Sequence, residues 1–168
     1  MKHNSNKEQA FNDVISQYKE VIAKVCWLYS SSYSFDDLYQ EVLINIWQGL
    51  DSFRGDAKIS TWIYRTAINT CITWHRRNAR HGGTTTLRLD DVKVEVPDAA
   101  DSKLDNERML QGLISQLGLI DKALVTLWLD EKPYDEIAAI MGISTGNVAV
   151  KMHRIKERLA IIAKNSGL

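Results

Sequence analysis

Apolar residues recur at the spacing of an α-helix along most of this 168-residue chain, and few residues interrupt them. The chain holds only two prolines and nine glycines, so long segments are free of helix breakers. A β-rich protein of this length would need turn residues far more often. The pattern therefore predicts an all-α protein.

The apolar spacing divides the predicted helices into two groups. The first group comprises the predicted helices 7–30, 35–50 and 58–80. The second group comprises the predicted helices 104–117, 120–130, 134–141 and 145–163. The intervening stretch has no apolar period and is rich in Gly, Thr and Asp. We therefore expect two small helical domains, 7–81 and 104–165, joined by a flexible acidic linker, 82–103.

Lysine and arginine balance aspartate and glutamate, 21 against 21, but the charges are segregated along the chain. Residues 57–82 carry five cations and no acid, and residues 143–164 carry five cations and one acid. Acidic segments lie before and after the first block. This distribution predicts a polyanion bound at two places and a protein partner elsewhere.

The most specific local pattern lies between residues 134 and 148. A short predicted helix ends at Gly142, which tolerates a positive φ, and Ser144 is suited to cap the next helix. Ala138 is small enough for two crossing helices to approach closely. These features are typical of a helix-turn-helix. Asn147, together with cations spaced along the second helix, predicts insertion into the major groove, although a solvated surface helix has similar spacing.

The predicted helix 58–80 carries a second basic face. Arg65 and Asn69 lie on this face, and the aromatic residues Trp62 and Tyr64 are close in sequence. Aromatic side chains beside a basic surface suit the trapping of unpaired bases. Trp62 and Tyr64 are equally compatible with a place in the core.

The two motifs together resemble a known family. Region 2 of the sigma-70 family, in its extracytoplasmic-function (ECF) subfamily, is resembled by Asp36–Val42, Trp47, Leu50–Asp56, Thr61–Arg65 and Asn69. Residues 117–159 are similar to region 4 of the same subfamily. Both matches occur in the expected order, with no room for a region 3 domain. The resemblance implies a transcription initiation factor that catalyses nothing and needs no cofactor.

The resemblance also implies a role for particular residues. The residues expected to bind the β′ clamp helices of core RNA polymerase are Asp37, Leu38, Gln40, Glu41 and Trp47. The residues expected to melt and hold the minus-ten element are Phe53, Arg54, Gly55, Asp56, Lys58, Trp62, Arg65, Asn69, Arg76 and Arg77. The residues expected to read the minus-thirty-five element are Ser144, Thr145, Asn147, Ala149, Val150, Lys151, His153, Arg154 and Arg158. Region 4 is further expected to contact the β flap, and an anti-sigma factor, often membrane-anchored, is expected to hold the protein inactive.

The chain departs from the family pattern at several positions. Leu117-Gly118 replaces the usual Leu-Pro pair, and Lys122 stands where an arginine is common. Ala149 and Val150 replace a cation and a hydroxyl in the recognition helix. Apolar contact with a thymine methyl can substitute for the lost hydrogen bonds, so we expect a changed minus-thirty-five preference.

Three other functions are less compatible with the sequence. A stand-alone helix-turn-helix regulator leaves the acidic helix and the 58–80 helix without a role. An enzyme is disfavoured because the four histidines are scattered and no metal cluster or phosphate loop occurs. An adaptor or inhibitor is disfavoured by the intact region 2 motif.

Cys26 and Cys71 are expected to be buried free thiols, and the absence of a signal peptide or membrane span predicts a cytoplasmic protein.

Overall fold

The computed structural model describes residues 2–30, 34–80 and 102–167, and every regular element in these segments is helical. The seven α-helices are α1 (Lys2–Tyr29), α2 (Phe35–Gly49), α3 (Ile59–Arg80), α4 (Ser102–Ser115), α5 (Leu119–Leu129), α6 (Tyr134–Met141) and α7 (Thr145–Asn165). A 3-10 turn, Leu50–Ser52, follows α2. The all-α prediction is confirmed. The predicted linker lies almost entirely outside the described residues.

Helices α1, α2 and α3 form the first group and pack against one another. Leu38, Val42 and Ile46 are spaced four residues apart on α2, and all three are fully buried. Ser34 caps α2 by accepting a hydrogen bond from the backbone N–H of Asp37. The exposed side of α2 carries mostly polar residues, together with Ile44. Cys26 and Cys71 are buried free thiols in this group, as predicted.

Helices α4 to α7 form the second group, in which α5 is the most buried element. Six consecutive residues, Lys122–Leu127, are buried in α5. A helix buried on all sides needs neighbours on all sides, and α5 contacts α4, α6 and α7 as well as α1 and α3 of the first group. None of the helices in the described segments is long and apolar enough to cross a membrane.

The two groups lie against each other, which the sequence does not predict. The Tyr29 hydroxyl of α1 donates a 2.6 Å hydrogen bond to the carbonyl of Leu119 at the start of α5. The Gln111 amide of α4 donates a 3.0 Å hydrogen bond to the carbonyl of Trp27. Helices α4, α5 and α6 thus cover part of the surface of α1 and α3.

Lys122 is a cation buried at this boundary. Only 4% of the residue is exposed, and its ammonium nitrogen lies 5.7 Å from the centre of the Tyr29 ring. Burial lowers the pKa of Lys122 from 10.5 because the charged form loses solvation. The charge at this position therefore opposes the packing of α5 on α1.

Replacing Lys122 with Met is expected to raise the free energy of unfolding by about 1 to 2 kcal/mol, because an apolar side chain of similar length avoids the desolvation of the charge. Thermal and urea unfolding would measure the change, with the exposed Lys19→Met as control. A lowered pKa means that the native state gains stability as the pH rises toward 10.5. The gain in the free energy of unfolding from Lys122→Met should therefore shrink as the pH rises toward 10.5. A variant no more stable than the parent would contradict this account.

Candidate nucleic-acid and partner interfaces

The turn between α6 and α7 has the geometry of a helix-turn-helix. Gly142 ends α6 in the left-handed conformation, at φ 67° and ψ 33°, where a residue with a Cβ is strained. The N–H of Ile143 donates to the carbonyl of Ala138 at 3.2 Å. The Ser144 hydroxyl accepts a 3.2 Å hydrogen bond from the N–H of Asn147, which caps α7. The turn predicted from the sequence is confirmed.

Helix α7 has one buried face and one exposed face. Val148, Met152 and Ile155 are buried against the rest of the second group. All nine residues predicted to read the minus-thirty-five element are exposed. Val150 is 52% exposed, and Ile161 farther along the same helix is 60% exposed. The exposed face combines an amide, three long cations and an apolar patch, the groups that contact base edges, phosphates and thymine methyls.

The loop between α2 and α3 is organised around two aromatic rings. The ring centres of Phe53 and Trp62 lie 5.3 Å apart with a tilt of 44°. The Trp62 ring also lies against Gly49, where a Cβ would come within 2.8 Å of a ring carbon. Gly55 has a φ of 78°, a left-handed conformation in which a residue with a Cβ is strained. Both aromatic residues are half-buried, so each keeps a surface free for stacking.

A groove of about 360 Å³ runs between α2 and α3. Its lining residues are Glu41, Asn45, Thr66, Asn69, Thr70, Thr73, Trp74 and Arg77. The Asn45 amide donates to the Thr70 hydroxyl at 3.0 Å, which fixes the amide at the edge of the groove. The buried Trp74 Nε1 has no hydrogen-bond partner among the described residues. The groove thus offers oriented polar groups to a flat polar molecule such as a base.

Sequence reasoning had identified only part of this groove. Asn69 and Arg77 are among the residues predicted to bind the minus-ten element, whereas Asn45 and Trp74 are not. A usable signal was present at Asn45, because it is a polar residue within the apolar stretch 42–47. The half-buried state of Trp74 follows from packing and has no counterpart in the sequence pattern.

The basic face of α3 is exposed, but one of its cations is already engaged. Arg76 and Arg77 face solvent, and Arg77 approaches Glu41 of α2 to 4.0 Å. The Arg65 guanidinium instead donates to the backbone carbonyls of Ala139 and Ile140 in α6. Arg54, Asp56 and Lys58 are exposed in the preceding loop. Arg76 and Arg77 are therefore accessible to a ligand, whereas Arg65 is held by α6.

Of the residues predicted to bind polymerase, some are exposed on α2 and others are buried or half-buried. Asp37 and Gln40 are exposed on α2. Leu38 has no exposed surface, so its direct contact with a partner is not compatible with this fold, and it anchors the helix instead. Trp47 is half-buried, with its ring centre 5.3 Å from that of Phe11 in an edge-to-face arrangement.

Ile44 was not predicted to be functional, yet it is 48% exposed on α2. It lies one helical turn beyond Gln40 and Glu41, so it adds an apolar contact to an acidic and polar surface. An exposed aliphatic side chain among polar neighbours is a common feature of protein interfaces. In the described part of the chain, no group of three or more potential metal ligands occurs.

The fold and these surfaces define a helical protein with a helix-turn-helix, basic exposed faces on α3 and α7, and an acidic face on α2. Comparison with known families agrees with this class. Residues 14–81 match the family model for Sigma-70 region 2, and residues 107–159 match that for Sigma-70, region 4.

Proteins with similar sequences over most of the chain are also named as sigma factors. The ECF RNA polymerase sigma factor SigW of Bacillus subtilis is 31% identical over 166 residues, which cover 90% of this chain and 88% of that protein. The ECF RNA polymerase sigma-E factor of Escherichia coli K12 is 28% identical over 90% of this chain and 85% of that protein. The chain belongs to the ECF subfamily of the sigma-70 family. It is a transcription initiation factor and not an enzyme.

Two solved structures share the fold. The sigma factor RpoE of Bartonella quintana, in complex with the anti-sigma factor NepR, matches with a TM-score of 0.69 and 19% identity, over 93% of this chain and 98% of that one. CnrH in complex with the cytosolic domain of CnrY matches with a TM-score of 0.66 and 18% identity, over 94% and 90%. Both matches include helices of both groups.

Proposed function

We propose that this chain binds core RNA polymerase through α2 and directs it to promoters read by α3 and α7. The observation that carries this proposal is the presence of three exposed surfaces: an acidic and apolar face on α2, a basic face on α3 that adjoins it at the Glu41–Arg77 contact, and a basic face on α7. A regulator that binds DNA alone has no use for the first of them. The domains proposed are 7–81 for polymerase and minus-ten binding and 104–165 for minus-thirty-five binding.

The proposed minus-ten site combines the Phe53–Trp62 ring pair with the groove between α2 and α3. Melting requires a base to leave the stack, at a cost of a few kcal/mol. Stacking on an aromatic ring stabilises the unpaired base by about 1 to 3 kcal/mol. The amides of Asn45 and Asn69 add hydrogen bonds that depend on the identity of the base. These residues therefore supply both melting and selection.

The proposed partners extend beyond DNA. Core polymerase would contact Asp37, Gln40, Glu41 and Ile44 through its β′ clamp helices, and its β flap would contact the second group. An anti-sigma partner is supported by the two structural neighbours, since each was solved with a second protein and one of these is named an anti-sigma factor. A factor with these partners acts in the cytoplasm.

A run-off transcription assay tests this function directly. Core polymerase alone and core polymerase with this chain would be compared on a library of promoter fragments from the source genome. We expect a discrete set of transcripts that requires the chain. The absence of any chain-dependent transcript would overturn the proposal.

Ala149→Lys is expected to strengthen promoter binding by the polymerase complex and to steepen its dependence on salt. A cation at this exposed position adds about one phosphate contact, which raises the log–log salt slope by about one. Binding would be measured between low and moderate salt, with the exposed Ala160→Lys on the same helix as control. An unchanged slope would place Ala149 away from the DNA.

A further inference from the structure

Lys7 of α1 is a lysine whose side chain is largely covered. Only 17% of that side chain is exposed, and its ammonium nitrogen lies 4.6 Å from the centre of the Trp47 ring on α2. The same ammonium pairs with the carboxylate of Asp51, which lies in the 3-10 turn after α2. An ammonium group is strongly hydrated, so a lysine is rarely this covered unless its charge has partners. Here the partners are a ring face and a carboxylate.

A second residue of α1 contacts the same ring. Phe11 follows Lys7 by one helical turn, so the two side chains lie on one face of α1. The ring centres of Phe11 and Trp47 lie 5.3 Å apart at an interplanar angle of 87°, an edge-to-face arrangement that stabilises aromatic pairs. Two neighbouring side chains of α1 thus hold one side chain near the end of α2 and another in the turn that follows it.

The turn that contains Asp51 leads directly into the loop assigned to the minus-ten element. The Ser52 hydroxyl donates a 2.8 Å hydrogen bond to the carbonyl of Gly49. The N–H of Phe53 donates to the carbonyl of Leu50 at 3.3 Å. Because the turn is closed by its own hydrogen bonds, a displacement of Asp51 is transmitted to Phe53, two residues later. Phe53 is one of the two rings that organise the loop.

We propose that Lys7 is a positioning residue for promoter melting, which acts through Trp47 and Asp51. Lys7, Phe11, Trp47 and Asp51 form a clasp that fixes the 3-10 turn to α1. The clasp holds the Phe53 ring where an unpaired base stacks on it. This inference rests on the proposed function, because that function assigns Phe53 to the minus-ten element.

A stacking surface that is fixed in advance favours the melting step. A base that leaves the duplex is stabilised by the ring it meets, and a ring that must first be ordered loses part of that stabilisation to conformational entropy. Neither Lys7 nor Asp51 is among the residues assigned to polymerase or to DNA. Loss of the clasp should therefore slow promoter opening and leave the affinity for core polymerase unchanged.

Hydrogen exchange in the free full-length chain measures whether the clasp holds the loop. Lys7→Met removes the ion pair and the cation–π contact and keeps an unbranched side chain. We expect the amides of residues 50–56 to exchange about threefold to tenfold faster, as the loss of both contacts predicts, and those of α7 to exchange as in the parent. Lys7→Arg keeps the charge and should restore the parent's rate, and Lys19→Met is the exposed control on α1. Unchanged exchange of residues 50–56 in Lys7→Met overturns the clasp.

Promoter opening by the polymerase complex measures whether the clasp serves melting. A promoter found by the run-off assay would carry 2-aminopurine in its minus-ten element, since the fluorescence of this base rises when it unstacks. At saturating chain, Lys7→Met and Asp51→Asn should each slow opening by about threefold to tenfold. Their double variant should lose less than the product of the two, because both break the same pair.

The affinity of the Lys7→Met chain for core polymerase should stay within about twofold of the parent, because a salt bridge outside a docking face contributes little to it. Opening by Lys7→Met at the parent's rate overturns the positioning role. Equal losses of core affinity and of opening also overturn it, because a residue that only supports the fold would give that result.

Failure of this inference is distinguishable from failure of the proposed function. A chain that opens promoters equally fast with Lys7 and with Lys7→Met refutes the positioning role and leaves the promoter role standing. A parent chain that opens no promoter refutes the promoter role, and the exchange of residues 50–56 then still decides whether the clasp holds the loop.

Discussion

Reversing the charge of Asp37 and Glu41 to lysine is expected to weaken binding of core RNA polymerase by about tenfold to a hundredfold. The change replaces favourable pairing with like-charge repulsion against a basic partner surface. Asp37 is exposed and Glu41 half-buried, so the substitutions leave the apolar core of α2 intact. Affinity would be measured with labelled chain and purified core polymerase at several salt concentrations.

The matched control is Glu8→Lys with Glu20→Lys, which makes the same change of charge at exposed positions of α1. The control should bind within about twofold of the parent, because no partner is assigned to that face. The reversal also removes the contact between Glu41 and Arg77, so thermal unfolding would be compared in parallel. Equal losses in both double variants would indicate a general charge effect and contradict a docking site on α2.

Arg154→Ala is expected to lower promoter affinity of the polymerase complex by about tenfold or more. Arg154 is exposed on α7, two helical turns after Asn147, where a side chain reaches base edges or phosphates. Loss of a bidentate base contact costs about 1 to 3 kcal/mol and relaxes the preference at that base. Affinity would be compared on a promoter and on variants with single changes in the minus-thirty-five element.

The control for this prediction is Arg108→Ala, an exposed arginine on α4. If Arg154 contacts a base, Arg154→Ala should reduce the loss of affinity that a change of that base pair causes. If Arg154 contacts a phosphate, the variant should lose affinity equally on every promoter. A variant that binds every promoter as the parent does would remove α7 from the promoter interface.

Local features of the fold are predictable from the sequence because they depend on neighbouring residues. The helix-turn-helix needs a left-handed residue, an apolar plug and a cap within a few positions, and Gly142, Ile143 and Ser144 meet these needs in order. The buried face of α7 follows from spacing alone. The same spacing leaves the predicted recognition residues on the other face of α7, so their exposure is also predictable.

Features that depend on contacts between distant segments are not predictable in this way. Periodicity assigns Leu38 to an apolar stripe, and family resemblance assigns it to an interface, but packing places it in the core. Arg65 is one exposed cation in the sequence, and only the three-dimensional arrangement shows its contact with α6, 74 residues later. The groove between α2 and α3 likewise combines residues from separate helices.

The dependence of promoter recognition on polymerase tests the central claim most directly. Binding to one promoter and to a scrambled duplex would be measured for the isolated chain, for core polymerase and for the two together. We predict weak binding with little discrimination by either component alone, and tight, promoter-specific binding by the complex. Tight and specific binding by the isolated chain, unchanged by core polymerase, would contradict the account and favour a stand-alone regulator.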